Sequence, residues 1–199
     1  MRNFNRINKI LLGFVVLIFS SCRGIFVQDP IDPQLPKYTE VGNNVAGAFI
    51  DNGFWKSVVK FGLFTTDDEP SVIAWPLGDS LTIRFGGEDS YGRSNIEFHL
   101  TGLKIYRFED LLTLNNKKIQ LDGISNSGYY IRSHDPTSYS NKGIGQVYFR
   151  NVNRSDTISK VILSGTFGFS VNKQDGSTMK ISYGRFDYTI SKSFNFNTE

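Results

Sequence analysis

The sequence predicts an all-β domain, an antiparallel β-sandwich or open barrel, and three observations carry that prediction. Apolar residues recur with a period of two in short runs, as Ile96, Phe98 and Leu100 do against Glu97, His99 and Thr101. That period places alternate side chains on one face of a strand. The runs are punctuated by Gly, Asn and Asp turns such as Asp51-Asn52-Gly53, which suit tight hairpins. The gaps leave no room for the crossover helices that a parallel sheet requires.

Before the strands begin, residues 1–21 read as a leader. Arg2, Arg6 and Lys9 precede an apolar run from Ile10 to Phe19, closed by Ser20-Ser21-Cys22. The run is about half the ~20 residues a membrane-spanning helix needs, and a basic start with small residues at its end is the secretory layout. Leu17-Ile18-Phe19-Ser20-Ser21-Cys22 resembles the lipobox of bacterial lipoproteins, most closely the Ser-Cys endings of Bacteroidota. The resemblance implies cleavage before Cys22 and lipidation of its thiol. Two acyl chains, at ~0.8 kcal/mol per buried methylene, make such an anchor effectively permanent.

That leader changes the charge argument. Removing Arg2, Arg6 and Lys9 from the 22 basic residues leaves 19, equal to the 19 acidic ones, so the body is formally neutral and offers nucleic acid no basic face. Cys22 is the sole cysteine, so neither a disulfide nor a thiolate metal site holds the body together. Residues 22–44 carry Pro30, Pro33 and Pro36 at a spacing of three without apolar periodicity, and read as an extended tether. Residues 45–199 form the single β domain. Attachment is expected at the outer membrane, with the face undetermined.

Within the body, Ala46 to Ile50 and Phe54 to Val59 flank the Asp51-Asn52-Gly53 turn. Lys60 to Thr65, Ser71 to Trp75 and Leu81 to Phe85 follow, then a loop from Phe85 to Gly92, then the strand through Ile96 and Leu100. Phe108, Leu111 and Leu112 fit a short helical turn. Lys118 to Leu121, Tyr129 to Arg132, Gly145 to Arg150 and Thr157 to Leu163 lead into a long hairpin from Lys160 to Ile190. There Phe167, Phe169 and Val171 alternate, Asp175-Gly176 makes the turn, and Met179, Ile181 and Tyr183 resume the alternation. Phe186, Tyr188 and Ile190 then fall on the opposite parity, so a β-bulge at Gly184 is required to keep both sets facing the core. Arg185 and Asp187 read as an outward charged pair.

The blocks Leu163-Ser164-Gly165-Thr166-Phe167-Gly168-Phe169 and Ile181-Ser182-Tyr183-Gly184-Arg185-Phe186-Asp187 resemble carboxyl-terminal blocks, SGTFSF and ITxGxFDV, of a family of Bacteroidota lipoproteins of unknown function. Gly168 stands where that family usually has Ser, and Tyr183 where it often has Asp or Asn. The resemblance implies a β domain on a lipid anchor and no particular activity.

Candidate chemistry is sparse. His99 shares the outward parity of Glu97, and His134 precedes the turn pair Asp135-Pro136. No G-x-S-x-G elbow singles out a nucleophile, and two separate histidines do not make a zinc site. Asp67, Asp68 and Glu69 in one loop and Glu88 and Asp89 in another are expected at the same end of the sheet. Their oxygens suit Ca²⁺, against the ordinary reading of solvated turn residues. Trp55, Trp75, Tyr129, Tyr130 and Tyr139 lie near strand ends or loops, where aromatic rings stack on sugars or pack against a partner. Together these features point to a lipid-anchored envelope module that binds a glycan, a small ligand or an envelope protein. The alternative is an envelope hydrolase working through the loop carboxylates.

Overall fold

A computed structural model describes residues 34–57, 70–132, 141–173 and 175–199. Their strands in chain order are β1 (Val45–Ile50), β2 (Gly53–Ser57), β3 (Ser71–Trp75), β4 (Ser80–Asp89), β5 (Gly92–Thr101), β6 (Lys117–Asp122), β7 (Ser127–Arg132), β8 (Gly143–Arg154), β9 (Lys160–Asn172), β10 (Thr178–Ser191) and β11 (Phe196–Thr198). The ring runs β4, β2, β1, β10, β9, β8, β7, β5 and back to β4, every pairing antiparallel. The all-β expectation holds, and the barrel is closed rather than open. Closure removes the free edges that an open sheet would expose. Three strands lie outside the ring: β3, carrying the parallel β11, pairs the first half of β4, and β6 pairs β8.

Side chains of alternating residues fill the interior. Phe85 stacks on Tyr188 at 4.8 Å between centroids, and Phe98 meets Phe167 edge-on at 5.3 Å. Trp55, Phe85, Phe98, Phe149, Phe186 and Tyr188 are all essentially solvent-free. Each such side chain contributes roughly 1.5–3 kcal/mol of burial, so the interior is a packed core. On β5, Asn95, Glu97, His99 and Thr101 take the outer face while Ile96, Phe98 and Leu100 point in. This is the inverse of the lipid-facing pattern of a transmembrane barrel. Among the described residues no helix is long and apolar enough to span a membrane.

The stretch from Phe85 to Gly92, expected as a loop, is the end of β4, a two-residue turn and the start of β5. Gly86 and Gly87 suggested a loop, but a Cβ at Gly87 would overlap the Trp55 ring, so glycine here admits a core tryptophan. Residues 108–114 form the expected short turn, a 3₁₀ helix. Asp110 accepts the amides of Tyr106 and Arg107 and so caps its start.

The parity slip in β10 is the expected bulge. Ile181 pairs Phe169 and Gly184 pairs Phe167, so Ser182 and Tyr183 together oppose Gly168. Tyr183, expected to face inward with Ile181, instead adopts φ 52° and is exposed. Gly184 follows because a Cβ there would overlap Phe167.

The proline spacing assigns residues 34–44 to the tether, yet they pack on the barrel. Leu35 is buried, Pro36 lies over Gly47, and the chain then crosses Asp187. The Asp187 carboxylate accepts the hydroxyls of Ser164 at 2.6 Å and Thr39 at 2.5 Å, and the amides of Val41, Gly42 and Asn43 at 3.2, 2.7 and 3.1 Å. Asp187 is on the outward face as expected, but the crossing segment buries it to 1% exposure.

Candidate functional site

Three turns meet at one end of the barrel, between β1 and β2, β4 and β5, and β9 and β10, beside the end of β7. They surround a cavity of about 390 Å³. Ile50 and Met179 form its apolar floor, and Asp51, Asn52, Asp89, Arg132 and Lys173 supply polar groups. Tyr91, 77% exposed at the tip of the β4–β5 turn, overhangs it.

The walls are held by their own chemistry. Asp89 is the last residue of β4 and faces inward, its side chain 5% exposed. One oxygen accepts the amide of Tyr91 at 2.8 Å, which fixes the turn, and the other accepts the hydroxyl of Tyr130. Arg132 donates from Nε to that hydroxyl at 3.4 Å, and its Nη2 lies 3.9 Å from Asp89. Its guanidinium also sits 4.5 Å from the Tyr91 ring centre and 5.5 Å from that of Tyr130, a cation–π arrangement. Burial pushes the Tyr130 phenol up, and the negative charge of Asp89 adds to this. Burial pulls Arg132 down, but its bond to Tyr130 and the charge of Asp89 outweigh that, so the guanidinium is held firmly cationic. Across the cavity Asp51, at φ 51°, accepts the amide of Lys180 at 2.8 Å. Lys173 has no ion pair among the described residues.

Of the residues singled out from sequence, Asp89 and Tyr130 meet here. Glu88 turns outward beside its cross-strand neighbour Arg93, so the two adjacent carboxylates point to opposite faces of β4. Among the described residues no three His, Cys, Asp or Glu side chains gather as a metal site. Asp67, Asp68, Glu69, Tyr139, His134 and Cys22 lie outside the described residues, as does the strand expected from Lys60 to Thr65. Trp55 is fully buried, its Nε1 donating to the Ser94 carbonyl at 3.4 Å, so its ring belongs to the core. Tyr129 is 7% exposed with its ring 4.5 Å from that of His99, and Trp75 is 40% exposed at the end of β3, away from this cavity. Tyr91, Arg132, Lys173 and Asp51 were not singled out. The turns Asp51-Asn52-Gly53 and Ser90-Tyr91-Gly92 were readable signals, but only ring closure brings them together.

A second buried carboxylate lies on the outer wall. Glu97 takes Arg84 Nε at 2.5 Å and faces His99 Nε2 at 3.2 Å. Burial would raise its pKa, but the hydrogen bonds from His99 and Arg84 hold it below the usual carboxylate range.

No family model matches the chain, and neither a curated protein nor a solved structure does.

Proposed function

We propose that the chain is a lipid-anchored module of the cell envelope, held at the outer membrane through Cys22, whose barrel mouth binds a sugar residue of a glycan. The mouth cavity carries this reading, because it joins an exposed phenol ring to hydrogen-bonding groups of both kinds. A pyranose offers an apolar face to a ring and hydroxyls that both donate and accept. Tyr91 supplies the ring, the Asp51 oxygen not bonded to Lys180 accepts, and Arg132, Lys173 and Asn52 donate. The volume falls in the range of about 300–1,000 Å³ typical of small-ligand sites. The Asp51 and Asp89 carboxylates bond main-chain amides and so hold the β1–β2 and β4–β5 turns, which limits the entropic cost of binding. The leader supports the anchor, since a sole cysteine closes a lipobox-like run.

Titration of the full chain with mono- and oligosaccharides tests the mouth. Tyr91→Ala should weaken binding about tenfold, equivalent to ~1.4 kcal/mol, with the melting temperature lowered by a few degrees at most, since the exposed ring gives up only its contact with Arg132. Absence of saccharide binding, or binding indifferent to Tyr91→Ala, overturns the reading. For the anchor, Cys22→Ala should abolish labelling by an alkynyl fatty acid and leave the membrane fraction without mature protein.

A further inference from the structure

The outer face of β8, β9 and β10 carries a trough of about 370 Å³ on the opposite side of the sheet from the core. Its floor is made of Gly145, Gly168, Ser170 and Ser182, its walls are Ile144 and Tyr183, and Lys180 stands at one end. Three observations mark it as built for a ligand. Tyr183 holds φ 52° at the bulge, a left-handed conformation that is rare for a bulky residue. Strain of this kind concentrates where a side chain must be re-aimed. The bulge stands the phenol ring over the floor, 61% exposed and braced edge-on against Phe49 at 6.1 Å. Gly168, in contrast to Gly145, is not required by packing. A Cβ at Gly145 would overlap the backbone of Gly168 and Phe169, whereas one at Gly168 would meet only the Ile181 carbonyl at 3.5 Å, an ordinary contact. The missing side chain at Gly168 keeps the trough open. Finally, Lys180 has no ion pair among the described residues. The acids at the margins, Asp51 and Asp122, each turn Oδ1 to backbone amides, away from the floor.

We propose that this trough is a second binding site, independent of the mouth, for a carboxylated saccharide chain. The Tyr183 ring takes the apolar face of a sugar, the hydroxyls of Ser170 and Ser182 meet its hydroxyls, and Lys180 meets its carboxylate. An acidic peptide fits less well. β9 is paired along both sides, so a peptide finds no free edge on which to add a strand through its main chain. An exposed aromatic wall over a floor of small polar residues matches the alternating apolar and hydroxylated faces of a sugar.

The test is binding of the full chain to an array of uronate- and sialate-bearing glycans, with neutral counterparts and oligoglutamate as comparators. At least one carboxylated glycan should bind at least tenfold more tightly than its neutral counterpart and than oligoglutamate. Tyr183→Gly should lower that affinity at least tenfold without loss of melting temperature, since glycine adopts positive φ without strain. Gly168→Thr, which fills the trough with a residue suited to a strand, should do the same, and Lys180→Ala should cost several-fold. These comparisons are made in a Tyr91→Ala background, which disables the mouth, and Ile158→Ala, exposed and outside both sites, should leave the affinity unchanged. Failure of every carboxylated glycan to bind, equal binding of neutral glycans or oligoglutamate, or affinity indifferent to both Tyr183→Gly and Gly168→Thr overturns the proposal. Loss on Tyr91→Ala alone would assign the binding to the mouth and overturn it equally.

Discussion

Asp187 and Glu97 both project from the outer wall of the barrel, both are buried to within 2% exposure, and both are held ionised, yet by opposite means. Glu97 is matched within its own sheet by two side chains from flanking positions, Arg84 and His99, which are themselves nearly half exposed. Among the described residues Asp187 has no cation as a hydrogen-bond partner. It is matched by neutral donors, three of them main-chain amides of a segment that crosses the barrel from 144 residues or more away in sequence. Glu97 therefore fastens neighbouring strands to each other, and Asp187 fastens the N-terminal segment to the barrel. On the proposed anchor, that makes Asp187 the point at which the tether ends and the rigid body begins.

The largest expected effect follows from removing the latch. Asp187→Ala leaves five donors without their acceptor, and should destabilise the domain by about 3 kcal/mol, or roughly 6–12 °C in Tm for a domain of this size. Limited proteolysis should then cut first between residues 34 and 44, where the released segment reopens. Loss of Tm without preferential cleavage there would mean that Asp187 serves the strands alone, and the contrast with Glu97 would collapse.

Acid should act in the same direction with smaller effect, because a protonated carboxyl keeps some of its hydrogen bonds. Burial alone would raise the pKa of Asp187, but the hydroxyls of Ser164 and Thr39 and the amides of Asn43 and Gly42 bring it below the usual value of 3.8. A carboxyl depressed in the folded state contributes stability that is complete above the unfolded pKa, and loses it as pH falls through the folded one. Denaturant midpoints should therefore hold from pH 7 down to about 4 and fall below that. The fall should be shallower in Asp187→Asn, and an unchanged slope would remove Asp187 from the acid response.

How far this was legible follows from particular residues. Period-two patterning is written into each strand, so the alternation in β5 and the slip in β10 were visible, and the slip named a bulge one residue from where it lies. The outward parity of Asp187 was equally readable. Its burial was not, because the covering residues 39–43 hold a single apolar residue, Val41, and the preceding Pro30, Pro33 and Pro36 argue for an extended tether. The mouth was half visible for a similar reason. Asp89 and Tyr130 belong to β4 and β7, which flank β5, and no local pattern specifies that β7 pairs there. Ring closure is also why Trp55 was misplaced: a tryptophan near a turn looks like a surface ring until Gly87 of a distant strand is set beneath it.

Glu97→Gln should cost less than loss of the latch, about 1 kcal/mol, because Arg84 and His99 reach water and can be rehydrated. The loss should also shrink in high salt, which screens exposed partners, while the penalty of Asp187→Ala, resting on neutral donors, should not. Paired denaturation curves at low and high salt measure this, and a salt-insensitive Glu97→Gln would erase the distinction between the two carboxylates.

The smallest effect belongs to a polar group that neither strategy satisfies. The Tyr188 hydroxyl is buried in the core beside Ser57, with no well-formed hydrogen bond among the described residues, and burial pushes its phenol up. Its ring packs on Phe85 and needs no oxygen to do so. A buried hydroxyl without a well-formed hydrogen bond carries a desolvation cost that is poorly offset, so Tyr188→Phe should leave stability within about 0.5 kcal/mol of the parent or raise it. A loss above about 1 kcal/mol, the usual value of one satisfied hydrogen bond, would show that the hydroxyl has a partner in solution, such as a buried water.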